Sequence, residues 1–239
     1  MKDYEKLQKM IDESDNIVFF GGAGVSTESG IKDFRSKDGL YNMDFEYPAE
    51  VMLSNYMFFT NTEKFYEFYK KYMNSLEYKP NITHKYLKKL EDTGKLKAII
   101  TQNIDGLHQK AGSKNVLEVH GTTYTNHCLD CGEEYNAEYV FNSEGIPKCS
   151  KCGGTIKPDV VLYGEMLPDC FVDAQKYIRN ADLLIVAGTS LTVNPAAGLV
   201  GLFGGKHLVI INNDKTPYDH KAELVINDKL SNIFNNLKA

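Results

Sequence analysis

Apolar positions recur along this chain at two spacings, and each spacing predicts an element. Tyr4, Leu7, Met10 and Ile11 share one face at helical intervals, so residues 2–15 form an amphipathic helix. Asn16-Ile17-Val18-Phe19-Phe20 is an unbroken apolar run that suits a buried strand. Phe65, Phe68, Tyr69 and Tyr72 return to the helical period over 63–75, giving a helix with an aromatic face. Residues 82–93 repeat it with Ile82, Tyr86, Leu87 and Leu90 inward, and Thr93-Gly94 closes that helix. Further strands are read over Lys97–Ile100, Val116–Val119, Asp159–Tyr163, Leu183–Ala187, His207–Ile211 and Glu223–Ile226. A helix spans 169–180, Pro195 opens a helix of small residues, and residues 229–238 form a closing helix. Residues 37–62 carry aromatics and turn formers without a regular period, which fits a flexible loop over a cleft.

Apolar strands joined by helices, with polar turns at the strand ends, predict an α/β fold built on a Rossmann-like, doubly wound parallel sheet. Ligands of such sheets sit outside the carboxyl ends of the strands, so candidate chemistry is sought there. After the first strand, Gly21-Gly22-Ala23-Gly24-Val25-Ser26-Thr27 reads as a glycine turn and a hydroxyl-rich helix start, which bring backbone N–H groups up to a pyrophosphate. The G-x-G-x-x-G fingerprint is incomplete, because Thr27 holds its third glycine position. Arg35 is one of only two arginines against 25 lysines, and beside Phe34 it can pair a phosphate while the ring covers a ligand.

Thr101-Gln102-Asn103-Ile104-Asp105-Gly106-Leu107-His108 places two amides and a carboxylate at a strand's carboxyl end, where they can grip polar ligand atoms. The same residues also suit a simple strand-to-helix turn with Asn103 or Asp105 as N-cap. His120-Gly121, at another strand end, is placed for acid–base work or for a purely structural hydrogen bond. Gly188-Thr189-Ser190 forms a second small turn that permits close ligand approach, and Asn212-Asn213-Asp214 ends the next strand. His84 lies on the inward part of its helix and reads as structural.

Bulk properties narrow the class. A chain of 239 residues, 42% hydrophobic and 25% charged, is an ordinary globular protein of one large domain or a large domain with a small one. A net charge of -5 argues against a general electrostatic grip on nucleic acid or an anionic membrane. No apolar run approaches the roughly 18–20 residues that cross a bilayer, and Met1-Lys2-Asp3-Tyr4-Glu5-Lys6 lacks the apolar centre of a signal peptide, so the expected location is cytoplasmic.

Four of the five cysteines form two pairs, Cys128-x-x-Cys131 and Cys149-x-x-Cys152, separated by 17 residues. That is the spacing of a four-thiolate zinc site. The segment 121–158 holds too few large apolar residues for its own core, and so short a module needs metal to fold. Four sulfurs leave no open position on the ion, so the zinc is structural, one Zn2+ per chain. Cys170 stands apart as an idle or buried thiol.

Together these fragments resemble the sirtuin family of NAD-dependent protein lysine deacylases, in its bacterial single-domain form. The carriers are Gly22-Ala23-Gly24-Val25-Ser26 with Ser29-Gly30-Ile31 and Asp33-Phe34-Arg35, then Thr101 to His108, His120-Gly121 and the two cysteine pairs. Val160-Val161 with Gly164-Glu165, and Gly188-Thr189-Ser190-Leu191 followed by Pro195-Ala196-Ala197, complete the set. The resemblance implies one catalytic domain: a large Rossmann-like part of about 1–35, 80–120 and 159–239, and a small module of about 36–79 and 121–158. NAD as co-substrate and the acetyl-lysine of a peptide or protein would meet between them, with no nucleic acid or membrane partner.

The resemblance assigns NAD contacts to Ala23, Thr27, Phe34 and Arg35, the ribose to Gln102, and the nicotinamide pocket to Asn103, Ile104 and Asp105. Gly188, Thr189, Ser190, Asn212 and the backbone near Leu230 would line the adenosine side. Val161, Tyr163, Gly164 and Val193 would flank the substrate, whose backbone adds as a strand between two loops. His120 would touch the cofactor and serve as catalytic base, and the acetyl group would pass from lysine to ADP-ribose with release of nicotinamide.

Two positions depart from the family pattern, and one helix bears on the acyl group. Gly21 stands where threonine is usual, and Tyr163 replaces phenylalanine. Members acting on acidic acyl groups carry a Tyr-x-x-Arg pair, whereas here the corresponding helix reads Phe68-Tyr69-Lys70-Lys71-Tyr72-Met73-Asn74, which implies acetyl or another neutral group. The competing readings are a protein mono-ADP-ribosyltransferase, an NAD-dependent dehydrogenase, for which Thr27 is unfavourable, and a zinc-ribbon binding module on a vestigial nucleotide fold.

Overall fold

The computed structural model describes residues 2–239. Helix α1 (Asp3–Asp12) buries Leu7 and Ile11 and hands the chain to β1 (Ile17–Gly21), all five residues of which are buried. Two 3-10 turns follow, Ala23–Val25 and Thr27–Ser29, where the sequence suggested the start of a helix. A further 3-10 turn, Leu40–Asn42, precedes the short helices α2 (Ala49–Met52) and α3 (Asn55–Thr60) and the longer α4 (Thr62–Tyr72). The region read as an irregular loop over 37–62 thus contains a 3-10 turn and two short helices. Ser54 and Asn61 cap α3 and α4 by accepting from Met57 N and Lys64 N, but helices of four and six residues are too short to display a full period.

Helix α5 (Ile82–Asp92) is capped by Asn81, whose side chain accepts from Thr83 N at 2.9 Å. It leads to β2 (Leu96–Thr101), α6 (Leu107–Lys110) and β3 (Val116–Glu118). The metal segment supplies β4 (Gly121–Cys128), β5 (Glu134–Asn136), α7 (Ala137–Asn142) and β6 (Ile156–Val160). The chain then forms α8 (Cys170–Asn180), β7 (Leu183–Ala187), a 3-10 segment Ala196–Leu202 in place of the expected small-residue helix, β8 (His207–Ile211), β9 (Leu224–Ile226) and α9 (Leu230–Phe234). The closing helix is shorter than 229–238, its apolar anchor reduced to Leu230, Ile233 and Phe234.

Six strands make one parallel sheet in the order β3-β2-β1-β7-β8-β9. The order reverses at β1, which pairs β2 on one side and β7 on the other, and a crevice opens there at the carboxyl ends. Alternation along β1 sends Ile17 and Phe19 to one face and Val18 and Phe20 to the other. The first face packs on α1, α5 and α9 and the second on α8 and the 3-10 segment, so helices cover both sides. Each fully buried Phe of β1 contributes roughly 1.5–3 kcal/mol through its area alone.

A second sheet has the order β5-β4-β6 and is antiparallel. The strand expected over 159–163 as part of the main sheet belongs here instead: it covers Ile156–Val160 and pairs with β4. Hydropathy alone does not name a strand's partner, and the alternating burial of β6 reflects a sheet covered on one face. This small sheet shares a core with α2, α3 and α4, in which Met52, Phe58, Phe65 and Tyr69 pack with Cys128, Val140 and Ile156.

Candidate active site

A cavity of about 1200 Å³ lies where the carboxyl ends of β1, β2, β7 and β8 face the small sheet and its helices. All the residues assigned above to cofactor, substrate or catalysis line it, from Ala23 and Thr27 to Asn212 and Leu230, and from Val161 to Val193. The four paired cysteines are elsewhere, in a separate cluster.

The glycine turn owes its composition to a neighbour. A Cβ on Gly22 would come within 2.7 Å of Thr189 Cβ, and one on Gly24 within 2.7 Å of Gly188 Cα. Gly24 N donates to Gly188 O at 2.8 Å, so the turns after β1 and β7 are locked backbone to backbone. Thr27, in the missing third glycine position, donates its Oγ1 to Gly24 O at 3.0 Å and closes the turn with a side chain. On the outer side Glu28 accepts from Ser231 N and Oγ, which pins the start of α9, and with it Leu230, against this loop.

At the end of β2 a buried polar network forms. Ser26 Oγ donates to Asp105 Oδ2 at 2.6 Å and accepts from Asn103 Nδ2 at 3.0 Å, while Leu107 N donates to Asp105 Oδ1 at 2.9 Å. Burial pushes the Asp105 carboxyl above its usual value, and the Ser26 and Leu107 bonds partly offset that. Ser26 was not among the residues assigned a role from the sequence. Its only advance signal was a hydroxyl inside the Gly22–Ser26 fragment.

Gln102 spans the switch point: its N donates to Gly21 O at 3.0 Å and its Nε2 to Thr189 Oγ1 at 2.9 Å. Its carbonyl oxygen faces His120 Nδ1 at 3.1 Å. A carbonyl only accepts, so Nδ1 carries the hydrogen and Nε2 presents a free lone pair. Burial lowers the His120 pKa, the Gln102 contact opposing it, which keeps the ring neutral. The next residue must be glycine, because Gly121 has φ 74 and a Cβ there would sit 1.9 Å from Asp159 O.

The opposite wall is built from two loops. Leu40 N and Tyr41 N donate back to Asp33 O and Phe34 O, folding the Phe34–Arg35 segment on itself over the cavity mouth. Tyr163 N donates to Leu53 O and Asn55 N to Tyr163 O, both at 3.0 Å, so the 161–164 loop is held by α3's leading edge. Lys71 and Tyr72 reach the cavity from the end of α4. Tyr69, on the same helix, is fully buried with its hydroxyl unpartnered and does not line the cavity.

In the metal cluster the four Sγ atoms lie within 4.8 Å of one another, with Cys128–Cys152 at 3.5 Å and Cys131–Cys149 at 3.6 Å. Tetrahedral zinc with Zn–S bonds of about 2.3 Å requires sulfur–sulfur edges of about 3.8 Å, so the set fits one ion. Gly132 N and Gly153 N donate to Cys128 O and Cys149 O, turning each pair into a tight knuckle. Tyr135 Oη and Lys151 N donate to Cys149 Sγ at 3.1 and 3.4 Å, the outer support that thiolate ligands require.

The family model described as "Sir2 family" matches residues 22–195. An NAD-dependent protein deacetylase of Clostridium acetobutylicum is 56% identical over 232 residues, covering 95% of each chain. One of Staphylococcus aureus is 44% identical over 238 residues, 98% of each. Among solved structures, a Sir2 protein with a deacetylated p53 peptide and 3'-O-acetyl ADP ribose superposes with TM-score 0.90 at 38% identity, covering 98% of this chain and 96% of that one. A Sir2 complex with p53 peptide and NAD+ gives 0.86 at 39% identity, again covering 98% and 96%.

Proposed function

The chain belongs to the Sir2 family and is an NAD-dependent protein deacetylase acting on acetylated lysine peptides, and we propose how its residues divide that work. The observation that carries the assignment is the His120 ring, bonded through Nδ1 to Gln102 O, in one cavity with the glycine turn, the Asn103–Asp105 pocket and the 161–164 loop.

When bound, NAD supplies the ADP-ribosyl acceptor of the acetyl group, with nicotinamide as leaving group. Ala23, Thr27 and Arg35 hold the phosphates, and Phe34 covers the mouth and excludes water. Gln102, fixed at its backbone and side chain, orients the ribose. Asn103, Ile104 and Asp105 grip the carboxamide, and the Ser26 bond aims the carboxylate. Gly188, Thr189, Ser190 and Asn212 line the adenosine side, with Leu230 behind. Nicotinamide would leave as the acyl oxygen bonds the ribose carbon. His120 Nε2 would then take the proton of a ribose hydroxyl whose oxygen bonds the acyl carbon, and water would release the lysine amine, leaving the acetyl group on the sugar. Val161, Tyr163, Gly164 and Val193 flank the peptide, which enters as an added strand.

The small sheet with α2–α4 forms the small module and the six-stranded sheet the large part. Their separate cores support that division. The end of α4, which lines the cavity with Lys71 and Tyr72, carries no Tyr-x-x-Arg pair, and that is the ground for expecting acetyl over succinyl. Among the described residues no helix is long and apolar enough to cross a membrane. A zinc-thiolate site suits the reducing cytosol, where we place the protein, and the net negative charge disfavours nucleic acid as a partner.

The test is nicotinamide release from NAD with and without an acetyl-lysine peptide. Peptide-dependent release with matching loss of acetyl is expected. Release that ignores the peptide, or ADP-ribose left on the protein substrate, sinks the assignment.

A further inference from the structure

Two phenols meet on one wall of the cavity. Tyr41 comes from the 3-10 turn that folds back under the Phe34–Arg35 segment, and Tyr163 from the loop proposed to flank the peptide. Their hydroxyls are hydrogen-bonded to each other although the residues are 122 positions apart. Behind the contact, Tyr41 packs against the Phe34 ring with centroids 5.4 Å apart, and the Arg35 guanidinium lies over its ring at 5.0 Å. Tyr41 N also donates to Phe34 O at 2.8 Å. Any shift of Phe34 or Arg35 is thereby passed to Tyr41. On the other side, the backbone N and O of Tyr163 are both bonded to the Leu53–Asn55 strip, so its ring is anchored on the small part.

From this geometry we infer that the Tyr41–Tyr163 hydrogen bond is a strut coupling the cofactor-side segment to the peptide-side loop, so that occupancy of either site favours the other. The inference rests on the site reading above. Its physical basis is shared ordering: a ligand that fixes Phe34–Tyr41 fixes Tyr163 through the bond, and the second ligand then meets a loop already arranged. Burial and the neighbouring phenol raise the Tyr41 pKa, so the hydroxyl remains protonated and able to donate. Tyr163 is 41% exposed, open to the cleft on one side, where an incoming peptide would reach it. A phenylalanine at position 163 fills the same space but has no hydroxyl, and cannot make the link. Tyr41 and Tyr163 are positioning residues here, acting through the segments they join.

The experiment is calorimetric titration of the zinc-loaded chain with an acetyl-lysine peptide, with and without saturating ADP-ribose. It is run on the unaltered protein, Tyr41→Phe, Tyr163→Phe and the double variant. ADP-ribose should tighten peptide binding in the unaltered protein. Each single substitution should cut that tightening by about 3- to 10-fold, the scale of one neutral hydrogen bond, and the double should cut it no further. Overturning results are a coupling factor of one in the unaltered protein, additive single effects, or a Tyr163→Phe chain that loses peptide affinity equally with and without ADP-ribose. Tighter peptide binding by Tyr163→Phe would make the contact a barrier and equally overturn the strut. Failure of the unaltered chain to bind either ligand would refute the site reading itself, which separates the two failures.

Discussion

The Nδ1 of His120 donates to the carbonyl oxygen of Gln102 at 3.1 Å, and that single bond decides which nitrogen of the ring does chemistry. Gln102 is itself tied to Gly21 O and Thr189 Oγ1, so the base is oriented by the residue that spans the two central strands.

Because burial lowers the His120 pKa, its neutral form persists to lower pH than a free histidine allows. The acidic limb of kcat/KM is expected to fall with a midpoint below about 6.5. His120→Ala should lower the rate by about 10²–10⁴-fold while ADP-ribose still binds. A pH profile with its acidic midpoint above that of free histidine, or an active Ala variant, contradicts the role.

Ser26→Ala removes the donor to Asp105 and the acceptor of Asn103 at once, inside a buried network. A loss of about 1–3 kcal/mol in stability is expected. A rise in KM for NAD should accompany it, because the carboxamide pocket loses its aim. Denaturant titration and initial-rate kinetics check the two halves independently.

Cys149→Ala removes one thiolate and the sulfur that Tyr135 and Lys151 support. Zinc content should fall from one ion per chain toward none, since sites of this kind draw about 10–16 kcal/mol of folding free energy from the ion. Limited proteolysis should then cut first within 121–158. A variant that stays fully active and protease-resistant without metal would refute the structural role.

His84 and His108 lie with ring centroids 4.7 Å apart, at 0% and 1% exposure, and three of their four ring nitrogens lack partners. Burial pushes His84 down to about 4 and His108 well below its usual value. The unfolded chain therefore binds more protons below about pH 6.5, and stability falls with acid at about 1.4 kcal/mol per pH unit for each ring, until its folded pKa is reached. Melting curves between pH 7.5 and 5 should be steeper for the native chain than for His108→Phe. Equal slopes would show that the pair is not the acid-sensitive element.

Much of this was legible from residue order alone. Strands β1, β7 and β8 are continuous apolar runs, and the cysteine pairs carry their own spacing. What escaped has physical reasons. Helices α2 and α3 are shorter than two turns, and although Ile156-Lys157-Pro158-Asp159-Val160 alternates in the residue order, that alternation does not name β4 as its partner. The turn after β1 looked like a helix start because glycine followed by hydroxyls is shared by both outcomes. Ser26 and the His84–His108 pair depend on contacts between segments dozens of residues apart, which no local pattern encodes.

The interlocked glycines of the first and second turns carry a consequence for protein engineering. With Gly24 seated against Gly188 at backbone distance, neither loop can be exchanged alone. A replacement turn with any side chain at position 22 or 24 would push it into space that the Gly188-Thr189 turn already fills. Libraries that vary these turns should therefore hold glycine at 22, 24 and 188, and those that admit larger residues there should mostly return misfolded clones.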